Sequence, residues 1–228
     1  MGRTSDARER LLQAALDLIW THSFSSVGVE QICEQAGVRK GSFYHFFPSK
    51  TDLALATYND HWTSIQPQFD AIFSPLVRPL DRIDRWCEAL YQHQKALFDR
   101  LGCVCGCPYV NVGTELGTQD ARIRRLIQQI FDRAQCYLES AVRDLGLAGI
   151  KAEEDIRATA RAIHSCELGV LVRAKVANDP EILRELVPAV HRLLGLNALP
   201  AGGVCPVPTP GRATYRSRTA GKRAVNNP

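Results

Sequence analysis

Residues 25–50, SSVGVEQICEQAGVRKGSFYHFFPSK, constrain the fold of this chain more than any other stretch. Val29, Ile32 and Cys33 recur at helical spacing, and Gly37 supplies the permissive backbone of a tight turn. A second short helix is predicted from about Lys40 to Phe47, where Pro48 ends it. Helices this short are stable only when packed. Phe43, Phe46 and Phe47 can anchor one side of the second helix, and an upstream helix from about Asp6 to His22, capped by Thr4 or Ser5, offers the support. Its Leu11, Leu12, Ala15, Leu16, Leu18 and Ile19 form a wide apolar stripe. The pattern is a helix-turn-helix with a brace.

The outer side of the second helix suits nucleic acid. Arg39, Lys40 and Lys50 are its only charges over residues 39–50, and Ser42, Tyr44 and His45 can hydrogen-bond phosphate oxygens or base edges. The run AGVRKGSFYHFFPSK resembles the helix-turn-helix signature of the TetR family of bacterial transcriptional repressors. The resemblance implies base-edge or phosphate contact from Lys40, Ser42, Tyr44 and His45, beside Arg39, and phosphate contact from Ser26 and Lys50. Arg3, expected on an arm before the first helix, is a further candidate for a phosphate or the minor groove. The implied partner is a double-stranded DNA operator.

Net charge does not carry this reading. The chain of 228 residues has a formal +4, but Arg212, Arg216, Arg218, Lys222 and Arg223 put +5 in residues 198–228, leaving −1 for the rest. The argument rests on where charge is placed. The sequence contains neither an apolar run of membrane-spanning length nor an N-terminal secretory stretch, so a cytoplasmic setting with reduced thiols is expected for its eight cysteines. Cys33, Cys87, Cys136 and Cys166 are assigned to packing.

Beyond residue 50 the chain reads as helix after helix, with neither strand alternation nor an internal repeat. Helices are expected at about 49–73, interrupted or kinked at Pro67, then 79–101, 108–117, 119–146, 152–177 and 179–195. The fold class is therefore all-α with about nine helices. It comprises an N-terminal three-helix DNA-binding domain (residues 1–50), a helical ligand-binding and dimerisation domain (51–197) and a disordered basic tail (198–228) containing Cys205. From Ala158 to Ala177 the sequence is apolar or small nearly all round, which predicts a buried helix, either central in a monomeric bundle or covered by a second subunit. The resemblance implies the latter: a homodimer joined through its last two long helices, matching a palindromic operator.

Residues 102–117, GCVCGCPYVNVGTELG, place Cys103, Cys105 and Cys107 at alternate positions, where an extended loop would turn all three sulfurs to one side. With Pro108 opening a helix, Cys107 falls at its N-cap, a place that favours a thiolate. Three readings stand: a thiol sensor of electrophiles or oxidants, a soft-metal site drawing on His164 or Cys166, and simple packing beside a pocket. The segment also resembles the ligand domain of NemR-like electrophile sensors within the TetR family, with Cys103 or Cys107 in the reactive role. Trp86, Tyr91, Tyr109, Asn111, Glu115, His164 and Glu167 are candidate pocket residues for a small-molecule effector. An enzyme built on Cys107 and His164 lacks any supporting motif, and no metal or cofactor is assigned.

Overall fold

A computed structural model of the chain describes residues 2–149 and 155–196. These contain nine α-helices, one 3₁₀ helix and no strand. The basic tail, with Cys205, lies outside the described residues. So does the stretch 150–154.

The first helix, α1 (Gly2–Thr21), starts earlier than expected, so Thr4 and Ser5 are not its caps and Arg3 belongs to its first turn rather than to an arm. α2 (Val29–Ala36) begins at Gly28, whose N–H donates to Gln31 Oε1 at 2.7 Å. It ends at Gly37, where φ is 61°. Val38 N–H reaches back to Cys33 O at 2.9 Å, closing a wrapped terminus that needs the left-handed backbone glycine adopts freely. Arg10 Nη1 donates to Ala36 O at 2.8 Å and ties α1 to this turn. α3 (Lys40–Phe46) turns Phe43 into a core with Leu11, Ile19, Ile32, Phe47 and Leu53. Burying one such aromatic stabilises the unit by about 1.5–3 kcal/mol, which is how a seven-residue helix persists.

α4 (Lys50–Ile72) is capped by Ser49 Oγ, which accepts from Asp52 N–H at 3.1 Å. It runs on through the exposed Pro67 rather than breaking there. α5 (Pro79–Leu101) opens on proline and ends at Gly102, with φ 73°. α6 (Pro108–Leu116), α7 (Ala121–Leu147) and α8 (Ile156–Ala177) follow. Arg82, buried on α5, donates to Asp144 on α7 at 2.6 Å and to Val77 O at 2.8 Å, so its charge is paired where it is desolvated. Asn178, at the end of α8, accepts from Val104 N–H at 2.9 Å and donates to Gly102 O at 3.2 Å, fixing the loop between α5 and α6.

The last expected helix is divided into a 3₁₀ segment, Pro180–Glu185, and α9 (Leu186–Leu193). Pro188 has no N–H to offer the Arg184 carbonyl, so an α-helical ladder cannot run continuously across that point. α8 is not buried all round in the single chain. Ile163, Leu171 and Ala174 face inward, whereas Ala162, Ser165, Gly169, Val172 and Val176 are exposed. Among the described residues no helix is long and apolar enough to cross a membrane.

Candidate functional site

Two regions of the molecule carry chemistry, and α6 connects them. The first is the outer side of α3 and its flanks. Arg39, Lys40, Ser42, Tyr44 and His45 are all exposed, with Tyr44 at 51%. Phe43 and Phe47 point the other way and hold the helix down. Lys40 pairs with Glu30 on α2, which holds the Glu30 carboxyl below its usual range and raises the lysine. Ser26 sits in the exposed loop before α2 and donates its hydroxyl to Ser23 O at 3.2 Å.

Lys50 has a different job from the one its charge suggests. Its Nζ donates to Phe24 O at 2.7 Å and Val27 O at 2.9 Å and stands 4.1 Å from the centre of the Phe24 ring. Partial desolvation lowers its pKa. The ammonium closes the loop before α2, a scaffolding role beside the phosphate contact expected of it.

The second region is a cavity of about 140 Å³. Its walls come from the end of α1, from α4, α5, α7 and α8, and from the start of α6. Trp20, Trp62, Phe69, Trp86, Tyr109 and Phe131 supply rings, and four of these six were not anticipated as site residues: Trp20, Trp62, Phe69 and Phe131. Trp20 Nε1 donates to Gly106 O at 2.9 Å. Gln94 grips the same residue from the other side, donating to Gly106 O at 3.1 Å and accepting from Gly106 N–H at 2.9 Å. At Gly106, φ is 69°, and a Cβ there would come within 3.2 Å of Lys175. Glycine is what lets the loop pass this close to α8.

The polar groups of the cavity are few and uncharged. His61 Nδ1 lies 2.7 Å from Tyr109 OH, and burial, aided by His93, pushes the imidazole down to about 4. His164 meets the Phe131 ring edge-on at 5.2 Å, and burial lowers its pKa too. Glu167 is 9% exposed, and burial lifts its carboxyl to about 8. His164 Nε2 stands 3.8 Å from Glu167 Oε2, too far for a hydrogen bond.

Trp86, Tyr109, His164 and Glu167 therefore line the cavity as anticipated, and Cys107 joins them. Tyr91 does not. Its ring is buried elsewhere, and its hydroxyl donates to Glu181 at 2.8 Å and accepts from Arg184 at 2.7 Å between α5 and the 3₁₀ helix. Asn111 donates to Cys105 O at 3.2 Å, away from the cavity. Glu115, at the far end of α6, accepts from the backbone N–H groups of Phe24 at 2.9 Å and Ser25 at 2.7 Å. That carboxylate clamps α6 to the loop that precedes α2. It lies 91 and 90 residues from these partners, so local sequence spacing carries no sign of the contact.

The cysteine cluster does not act as one. Cys105 is buried with Trp20 and Leu97, Cys103 is half-buried beside them, and only Cys107 faces the cavity. Among the described residues no group of three or more histidine, cysteine or acidic side chains could hold a metal. Cys107 does occupy the N-cap of α6, where the N–H groups of Tyr109 and Val110 favour a thiolate. Burial outweighs them and, with Glu167 nearby, pushes the thiol up to about 12, against the low-pKa nucleophile expected from the N-cap position alone. The thiol is only half-buried by surface because it opens into the cavity, yet it lies deep below the protein exterior. Of the cysteines assigned to packing, Cys33 and Cys87 are buried and Cys166 is half-buried, whereas Cys136 is exposed on α7.

Comparison with known proteins agrees with this layout. Residues 11–57 match the family described as bacterial regulatory proteins, tetR family, and residues 79–190 match the tetracyclin repressor-like C-terminal domain. The transcriptional regulator AcuR of Cereibacter sphaeroides is 29% identical over 82% of this chain and 84% of its own length. The HTH-type transcriptional repressor NemR of Escherichia coli K12 is 24% identical over 85% and 96%. Among solved structures, a regulatory protein TetR from Rhodobacter sphaeroides superposes with a TM-score of 0.73 at 28% identity, covering 82% of this chain and 98% of that one. The reduced form of E. coli NemR shares the fold, with a TM-score of 0.71 at 24% identity over 86% and 99%. With both halves of the chain matched in order, it belongs to the TetR family of bacterial transcriptional regulators.

Proposed function

We propose that this regulator is a homodimeric repressor that holds a palindromic operator through α3 and lets go when a small molecule fills the cavity. One observation carries the reading. α6 starts in the cavity wall at Cys107, Pro108 and Tyr109 and ends at Glu115, whose carboxylate grips the loop leading into the DNA-reading helices. A ligand that moves the start of α6 therefore shifts the two heads, and occupancy couples to DNA affinity through one rigid element. With Cys107 held as a neutral thiol, occupancy is favoured over thiolate chemistry as the signal.

Arg39, Ser42, Tyr44 and His45 are the proposed DNA contacts, with Lys40 joining once it leaves Glu30. Salt dependence separates contact from scaffolding. Arg39→Ala is expected to reduce the slope of log affinity against log salt by about one, the signature of a lost phosphate contact. Lys50→Ala is expected to weaken binding with the slope unchanged, because its charge already serves Phe24 and Val27. Fluorescence anisotropy with DNA from upstream of the protein's own gene measures both slopes, and equal slopes for wild type and Arg39→Ala would remove Arg39 from the interface.

The dimer reading rests on the outward side of α8. Ala162, Ser165, Gly169, Val172 and Val176 repeat at steps of three and four, a small, apolar stripe that lets helices approach closely. Gly169 is the sharpest probe, since a Cβ built there meets nothing within 4 Å in the single chain. The site is exposed in the isolated subunit, and arginine there gains helix propensity. Gly169→Arg is expected to halve the mass seen by light scattering while preserving helicity and losing operator affinity at least tenfold. A variant that stays dimeric moves the interface elsewhere.

A further inference from the structure

Glu167 is an unfinished interaction. The residue lines the cavity and is 9% exposed, and its nearest charged or titratable neighbour, His164 Nε2, stands 3.8 Å from Oε2, beyond hydrogen-bond reach. A buried polar group without a partner is costly, and one that faces an open cavity is satisfied by whatever enters it. The rest of the wall is largely aromatic, with Trp20, Trp62, Trp86 and Phe131 among the lining residues. A single acid among aromatic rings is an arrangement that attracts positive charge, since ring quadrupoles and a carboxylate both favour a cation in a desolvated site.

No lysine or arginine lines the cavity, so an anionic occupant finds no countercharge. The other titratable groups about it are held in uncharged forms by burial: His164 and Cys166 on α8, Cys87 and His93 on α5, His61 on α4 and Cys107 at the start of α6. His93 belongs to this set although its outer edge is exposed, because its inner face stacks on Trp20 at 5.7 Å. Glu167 is thus the one group able to supply full charge to a ligand at neutral pH. A volume near 140 Å³ matches a body of about benzene size.

We propose that the cavity is a receptor for a small organic cation, a substituted ammonium seated with its charge on the Glu167 carboxylate and its carbon groups against the tryptophan faces. The proposal rests on the cavity being the effector site and names the chemistry it selects. Without ligand the carboxyl is mostly protonated at neutral pH. On binding, the proton leaves to solvent and the carboxylate pairs with the cation, with no covalent step.

Three probes of nearly one shape test it: choline, its neutral isostere 3,3-dimethylbutan-1-ol and the anion 3,3-dimethylbutanoate. All three tryptophans of the chain line the cavity, so intrinsic emission reports its occupancy directly. Choline is expected to bind at least tenfold more tightly than the alcohol, with the anion weakest. Glu167→Gln is expected to erase that preference while the alcohol still binds. Equal or tighter binding of the alcohol or the anion, silence of the emission toward choline, or a preference that survives Glu167→Gln would each overturn the cation site. Operator anisotropy recorded on the same samples separates the two readings. Choline that fills the cavity without releasing DNA upholds the cation site and overturns effector release; DNA release by the alcohol or the anion alone does the reverse.

Discussion

Replacing Glu167 by glutamine is expected to raise the unfolding midpoint by several degrees at pH 8 and to leave it almost unmoved at pH 4. In the folded chain burial lifts the carboxyl from 4.5 to about 8. A group whose folded pKa is raised contributes stability that is complete below its unfolded value and is lost as pH climbs through the folded one. Between about pH 4.5 and 8 the unfolded chain therefore gains from ionising Glu167 while the folded chain cannot. A shift of this size sets an upper bound of about 5 kcal/mol, and relaxation around a buried acid makes about 2–4 kcal/mol the realistic gain for the neutral isostere. For a chain of this length that corresponds to roughly 5–15 °C. His61 works in the opposite sense. Its pKa falls from 6.5 to about 4, so its contribution is present above 6.5 and disappears as pH falls through 4. Glutamine at 167 should flatten only the alkaline limb of a plot of midpoint against pH, and a uniform rise at both ends, or destabilisation at pH 8, would refute the assignment.

Glu167 is expected in the pocket from sequence, but its raised pKa is legible only in the structure because a pKa is a tertiary property. HSCEL at 164–168 is compatible with an exposed helix turn, and nothing in its spacing tells that α4, α5, α6 and α7 close over it. The same limit governs Cys107. Pro108 places it at a helix N-cap, which is local and legible, but the burial that overrides the cap comes from elements brought together by the fold. Trp20 reads as the end of a brace helix, yet its indole N–H closes on Gly106, 86 residues away, and makes it a cavity wall. The charge of Lys50 is visible in sequence, whereas the carbonyls it also serves, at Phe24 and Val27, are backbone groups that sequence does not display. What was legible was the helix-turn-helix, since Gly37, Phe43 and Pro48 impose a turn, an anchor and a stop within twelve residues. The all-α class followed from periodicity. The α8 pattern was also legible in part: Ile163, Leu171 and Ala174 are buried as its apolar sequence predicts, but Val172 and Val176 are exposed in the single chain.

The second large effect separates holding the reader helix from reading with it. Phe43 is fully buried and touches the Tyr44 and Phe47 rings at centroid distances of 5.1 and 6.1 Å. Phe43→Ala empties the middle of the small core that it shares with Leu11, Ile32 and Leu53, at a cost of about 3–5 kcal/mol. α3 has seven residues and no stability of its own, so it should fray and operator binding should vanish. Tyr44 is half exposed and packs only its ring edge on Phe43. Tyr44→Ala is expected to cost less than about 1 kcal/mol of stability, as surface substitutions usually do, and yet to weaken operator binding at least tenfold. Thermal unfolding and anisotropy on the two variants give a two-by-two comparison. Operator affinity that survives Phe43→Ala would show that α3 does not need its anchor. Tyr44→Ala with wild-type affinity would take the tyrosine out of the interface and leave Arg39, Ser42 and His45 to carry recognition.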